Sequence, residues 1–215
     1  MSSIPSPPAT PLDAFGAAVR RIAPLGDAAL AELAALTEAR EVGTGVWLLQ
    51  AGQRAEWGLF VVGGLLRECY IDAEGDEHTR AFAPAGGFSG SLLDLLSGQP
   101  SVTWVQALEP TRLLAFRYAA FDALCRTNPE LNMLARRLAE RLYLRKARRE
   151  YELLALPAAA RYAQWCAEHP QLDARVSRRV LASFLGVTPE HLSRLRREAV
   201  HRPAGPGVGG SSRAA

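Results

Sequence analysis

The chain has 215 residues, 48% of them apolar, enough to bury a core as one large domain or two small ones, which excludes a wholly disordered or fibrous class. Its formal charge of +3 hides a split: residues 1–130 carry nine Arg against fifteen Asp and Glu, net −6, and the remainder carries sixteen basic against seven acidic residues, net +9. Cys69, Cys125 and Cys166 form no Cys-x-x-Cys pair, and no stretch approaches the roughly 20 apolar residues needed to span a bilayer, so a zinc or disulfide centre and a membrane anchor are excluded and a reduced, cytoplasmic setting is expected.

Such a division suggests an acidic module that does not touch nucleic acid, joined to a basic one that can. On charge alone, a solvated basic face is the alternative. Four Pro and three Ser within residues 1–11, and the Pro, Gly and Ser content of 202–215, predict disordered ends. Between Leu12 and Ala39, Phe15, Val19 and Ile22 share one helical face, and Leu30, Leu33 and Leu36 recur after Pro24-Leu25-Gly26, which predicts two short helices. From 46 to 116 the apolar runs shorten and Gly punctuates them. Strands are expected at 46–49, 59–62, 65–71, 79–82, 102–108 and 113–116, with a hairpin turn at 72–76 where Gly75 supplies a positive φ. Many short strands with Gly turns imply a sandwich or jelly roll.

After Tyr118 the pattern is helical again. Pro129 suits a first turn, and Leu131, Leu134, Leu138 and Leu142 follow at spacings of 3, 4 and 4, with no Gly or Pro before Pro157. A helix over 129–156 would be about 40 Å long. The small β domain cannot cover that length, so the leucine stripe is expected to join two copies in a parallel coiled coil.

Residues 181–198, LASFLGVTPEHLSRLRRE, carry the plainest motif. Ala182 lacks the bulk to keep a second helix away. Gly186 can take the left-handed conformation that ends the first helix, and Thr188 then caps the second with Pro189 at its first position. Leu181, Leu185, Leu192 and Leu195 close a small core. At 100° per residue, Leu192, Leu195 and Ala199 share the inner face, while Glu190, Ser193, Arg194 and Arg197 point outward. These are the expected base readers: Arg194 toward guanine, Glu190 toward cytosine N4, Ser193 in either role. Arg178, Arg179, Thr188, His191 and Arg196 flank them and are expected on phosphates. A helical hairpin with a merely solvated Arg face is the alternative.

On these residues the chain resembles the Crp/Fnr-type bacterial regulators, from about Leu12 to Arg197. The matching segments are Gly-Leu-Leu-Arg at 64–67, Glu-Gly-Asp-Glu-His-Thr at 74–79, Asn-Pro-Glu-Leu at 128–131, and LASFLGVTPEHLSRLRR. The resemblance implies an α+β protein: an N-terminal double-stranded β-helix or jelly-roll domain of the cyclic-nucleotide-binding type over 12–127, a dimerisation helix over 128–156, and a C-terminal helix-turn-helix domain over 157–201. It also implies base contacts by Glu190 and Arg194. The partners expected are double-stranded DNA bearing an inverted repeat, a second copy of the chain, and RNA polymerase.

Departures matter as much. Cyclic-AMP-binding members place a Glu after the residue matching Gly90 and an Arg before the one matching Ser101; this chain has Ser91 and Pro100. Without that Arg an anionic phosphate loses its main partner, so cyclic AMP is not the expected effector. Any effector is expected near Ser89, Gly90, Ser91 and Ser101, facing the long helix. There is no N-terminal cysteine cluster for an iron-sulfur centre, a haem role for His78 is not expected, and the winged hairpin after the recognition helix is expected to be missing. No cofactor, metal ligand or catalytic residue is predicted: a cupin-like enzyme would need a His and Glu cluster, and His78 is the only His before residue 169. The other competing class is a ligand-binding module whose helical hairpin contacts protein.

Overall fold

A computed structural model describes residues 10–201, and the chain divides into two compact units, Met1–Tyr151 and Glu152–Ala215. The expected disorder before residue 10 and over 202–215, and any hairpin beyond residue 201, lie outside the described residues.

Helix α1 (Pro11–Arg20) starts one residue earlier than its apolar pattern, because Thr10 caps it: the Thr10 hydroxyl accepts the Asp13 N–H at 3.1 Å and the Asp13 carboxylate accepts the Thr10 N–H at 2.9 Å. Helix α2 (Asp27–Ala35) begins after Gly26, whose N–H donates to the Glu130 carboxylate at 2.6 Å. The strands are β1 (Glu38–Val42), β2 (Trp47–Leu49), β3 (Trp57–Gly63), β4 (Leu65–Ile71), β5 (Glu77–Pro84), β6 (Phe88–Ser89), β7 (Trp104–Ala107) and β8 (Thr111–Arg117), with helix α3 (Leu92–Ser97) between β6 and β7. They pair antiparallel in two four-stranded sheets, ordered β1-β8-β3-β6 and β2-β7-β4-β5, which is the expected jelly roll.

Period-two alternation assigns the faces. Leu113 and Ala115 of β8, with Leu59 and Val61 of β3, meet Leu66, Ala83, Val105 and Ala107 between the sheets. Their neighbours Leu114, Phe116 and Phe60 point the other way and meet Phe15, Val19 and Leu33 of α1 and α2, Phe121 of α4 (Tyr118–Thr127), and Leu131 and Leu134 of α5 (Pro129–Ala155). Phe15 packs edge-on to Phe60 with ring centroids 5.2 Å apart. One sheet thus carries two cores.

Helix α5 (Pro129–Ala155) runs 27 residues, as its pattern predicts. Its stripe needs correction. Leu131 and Leu134 are 0% and 1% exposed inside their own unit and so cannot face a partner; Leu138, packed against the same core, and Leu142 are half-buried. The apolar residues left outside are Met133, Tyr143, Leu144, Tyr151, Leu153 and Leu154. Arg137 and Arg141 bind the helix to the turn after α1 by donating to the Ile22 and Arg21 carbonyls at 3.1 and 2.8 Å. The second unit holds the end of α5 with α6 (Ala158–Glu168), α7 (Arg178–Leu185) and α8 (Pro189–His201), closed around Tyr162, Trp165, Leu172, Val176, Leu181, Leu185, Leu192 and Leu195.

Four elements were not foreseen individually: β1, β6, α3 and α6. The β1 sequence Glu-Ala-Arg-Glu-Val has no apolar alternation, since it is a mostly exposed edge strand held by its pairing to β8.

Candidate functional site

The α7–α8 pair is built as its sequence dictates. Ser177 caps α7, its hydroxyl accepting the Val180 N–H at 3.3 Å. Gly186 ends the helix at φ +64°, and the Val187 N–H reaches back to the Ala182 carbonyl at 3.0 Å, the closure that a left-handed residue permits. Thr188 then accepts the His191 N–H at 3.2 Å, with Pro189 first in α8. Ala182, Leu185, Leu192 and Leu195 are buried where the helices meet. Arg161 steadies the turn, donating to the Leu185 and Leu156 carbonyls at 2.9 and 2.6 Å. Nothing local in the sequence signals that role, because it joins residues 24 apart.

Glu190, Arg194 and Arg197 of α8 are exposed opposite this seam, as are Arg178, Arg179 and Thr188 at the start of α7 and the cap of α8; His191 is half-buried. Several expected site residues are already engaged, Thr188 as the cap of α8 and Arg178, Ser193 and Arg196 through their side chains. The Ser193 hydroxyl donates to the Pro189 carbonyl at 2.9 Å and accepts from Arg178 at 3.2 Å, which ties α7 to α8. Arg196 turns inward to Asp173, at 3.0 Å from its carboxylate. Burial opposes the Arg196 charge, and the hydrogen bond and charge of Asp173 together with Tyr162 outweigh it, holding the guanidinium more firmly charged than usual. Arg196 is therefore a brace of the helical unit, not the phosphate holder expected from its spacing. Beside it, burial and then the Cys166 contact push the Tyr162 hydroxyl up to about 12.

The four residues expected around an effector lie on the roll, but the hydroxyls of Ser89, Ser91 and Ser101 are already engaged with carboxylates. Gly90 takes φ +113° because any Cβ there would stand 2.4 Å from the Trp57 carbonyl, and Ser91 follows at φ 34°. Ser89 donates to Glu68 at 2.8 Å. Ser91 and Ser101 both donate to the Asp94 carboxylate, at 2.7 and 2.5 Å, and Thr103 lies 3.0 Å from the Ser91 hydroxyl. Desolvation pushes the Asp94 carboxyl up, and these hydroxyls with the Val102 N–H outweigh it, so the group stays below the ordinary carboxylate range. Asp94 was missed by sequence reasoning. Arg80 is spent on Tyr70 at 3.0 Å and on Glu68 at 3.4 Å. The adjoining cavity, lined by Arg40, Leu49, Trp57, Leu59, Gly90 and Val105, measures about 30 Å³. Sites for small molecules are roughly 300–1,000 Å³. A larger hollow of about 560 Å³ at Arg20, Pro24, Leu25, Gly26 and Glu130 is an open surface concavity outside the roll.

The sequence pattern of the cyclic nucleotide-binding domain matches residues 39–128, which contain every strand from β2 to β8 and all but the first residue of β1. A curated relative, the cAMP-activated global transcriptional regulator CRP of Pasteurella multocida, is 25% identical over 159 residues, covering 69% of this chain and 76% of that protein. The chain thus carries a domain of the cyclic nucleotide-binding type and is similar, beyond it, to CRP-type transcription regulators. Solved structures share the fold: FixK2 from Bradyrhizobium japonicum has a TM-score of 0.67 at 19% identity, covering 83% of this chain and 89% of that one. The catabolite activator protein of Thermus thermophilus has a TM-score of 0.53 at 24% identity, covering 88% and 91%. No helix among the described residues is long and apolar enough to cross a membrane, and none of their side chains form a group of three or more His, Cys, Asp or Glu suited to a metal.

Proposed function

We propose that this chain is a regulator of the Crp/Fnr type, cytoplasmic, homodimeric and sequence-specific in binding DNA, which works with RNA polymerase and does not respond to cyclic AMP. In this reading residues 12–127 are the sensor roll, 128–156 the dimerisation helix and 157–201 the helix-turn-helix domain. The observation that carries it is the division of α8: Leu192 and Leu195 go inward, and Glu190, Arg194 and Arg197 stand exposed beside Arg178 and Arg179. An exposed guanidinium in the first two turns of such a helix reaches base edges in the major groove, where it pairs bidentately with guanine. Ser193 reads a base only by giving up its bond to Pro189 or to Arg178.

For the dimer, the supporting feature is the exposed face of α5. Leu144, Ala147, Tyr151 and Leu154 follow one another at spacings of 3, 4 and 3, and all four are exposed. Two features of the roll argue against cyclic AMP. Ser91 and Pro100 replace the Glu and Arg of cyclic-AMP-binding members, and the hydroxyls nearby are engaged with Asp94. The cyclic-AMP activation named for the curated relative is not carried over.

Binding-site selection on wild type and Arg194→Ala at fixed salt tests the reading. The wild type is expected to select an inverted repeat with half-sites about 34 Å apart. The variant should lose about 1–3 kcal/mol on that operator and relax one base pair per half-site. Identical motifs from both proteins would remove Arg194 from the readout.

A further inference from the structure

Helix α3 is inside out. Its sequence is Leu-Leu-Asp-Leu-Leu-Ser, and the residue it buries is Asp94, at 3% exposure, while Leu93 and Leu96 stand 49% and 64% exposed. A buried carboxylate is tolerated only when hydrogen bonds replace its water. Those that do so here come from two separate segments: Ser91, at the start of α3, and Ser101 to Thr103, on the approach to β7. Ser91 is also the only non-glycine residue with positive φ among the described residues, so the turn into α3 is held in a costly conformation. Contacts that determine this turn must outweigh that cost. The Asp94 cluster supplies them.

Charge points the same way. Around this cluster Glu68 and Asp94 are both buried carboxylates, the guanidinium of Arg80 already serves Glu68, Tyr70 and Thr103, and Arg40 at the adjoining cavity is paired with Glu38 and stacked on Trp57. An incoming anion would meet two buried carboxylates, with Arg80 already committed to its own partners.

We infer that Asp94 is a built-in ligand: its carboxylate joins residue 91 to residues 101–103, the place an anionic effector would otherwise fill, and holds the roll closed without a small molecule. This rests on the reading of the roll as unresponsive to cyclic AMP, and it adds what takes the effector's place.

The experiment is rescue by a small carboxylate. The full chain carrying Asp94→Ala is melted in formate and in chloride of equal ionic strength. Formate should restore much of the lost melting temperature, chloride should not, and the wild type should respond to neither. Operator affinity of the same variant should fall about tenfold in chloride, the size expected when buried hydroxyls lose a charged acceptor, and recover in formate. Equal melting of Asp94→Ala in the two salts overturns the proposal. If that variant does not fold, Asp94→Asn keeps the shape and loses the charge; a wild-type melting temperature for it overturns the proposal too. The melting arm contains no DNA, so its result is independent of the DNA-binding reading. Cyclic AMP added to the wild type is a separate arm: a raised melting temperature would sink both the unresponsive roll and the built-in ligand, whereas failed rescue with no cyclic-AMP effect would sink the built-in ligand alone.

Discussion

The outer face of α8 and the interior of the roll are both rich in side chains that bind ligands elsewhere, and they differ in what those side chains touch. On α8, Glu190 and Arg194 are exposed to solvent. In the roll, Ser89, Ser91, Ser101, Glu68 and Asp94 are spent on one another. A hydroxyl or carboxylate that already has a short, buried partner contributes to stability, and one that ends in water is available for recognition. Substitutions in the roll should therefore register in melting, and those on α8 in binding.

The largest expected effect breaks a different part of the same distinction. Leu134 on α5 is core and Leu144 on the same helix is surface, so Leu134→Ala should cost about 2–5 kcal/mol of stability. Leu144→Asp should leave melting of the roll within about 0.5 kcal/mol of wild type and yield monomers by sedimentation velocity. A Leu134 variant that melts like wild type, or a Leu144 variant that stays dimeric, would return the interface to the stripe read from periodicity.

Next in size is Ser101→Ala, which removes one of the donors to Asp94 and should cost about 1–3 kcal/mol in melting without altering the selected DNA motif. The pH dependence follows from the depressed Asp94 carboxyl. Its pKa is lower folded than unfolded, so the unfolded chain takes up a proton first as pH falls. The stabilisation is complete above the ordinary carboxylate value of about 3.9 and is lost below it, toward the folded value. The melting difference between wild type and Asp94→Asn should narrow across that window, and a difference that grows there would contradict the assignment.

What could be read in advance followed the range of the interaction. Gly186, Thr188 and Pro189 were legible because backbone requirements at a helix end involve only neighbouring residues, and Leu192 and Leu195 because 3.6-residue periodicity separates inner from outer faces. The same periodicity located α5 but misassigned its stripe: an apolar face reveals that something covers it, not whether the cover is another helix of the same unit or a second chain. Arg196 failed for the same reason, since Asp173 lies 23 residues away. Ser91 and Ser101 have identical chemistry whether they await a ligand or bind Asp94, and only the fold brings the three together. One local signal was present, a lone carboxylate among four leucines in α3.

The smallest expected effect separates the two kinds of exposed arginine. Arg179 stands exposed on the first turn of α7, off the reading helix, so its expected role is a phosphate contact, which carries no sequence information. Arg179→Ala should weaken binding to operator and to unrelated DNA by the same factor and leave the selected motif unchanged. Because each neutralised phosphate releases a condensed counterion, the slope of log affinity against log salt should flatten by about one unit per protomer. Arg194→Ala should instead change the motif, losing more on the operator than on unrelated DNA. Arg178 is the intermediate case: its bond to the Ser193 hydroxyl anchors it on α8, so Ser193→Ala should loosen it and reduce the salt slope without relaxing any base pair. If Ser193→Ala relaxes a base pair and leaves the slope alone, Ser193 reads DNA directly and its bonds to Pro189 and Arg178 break on binding.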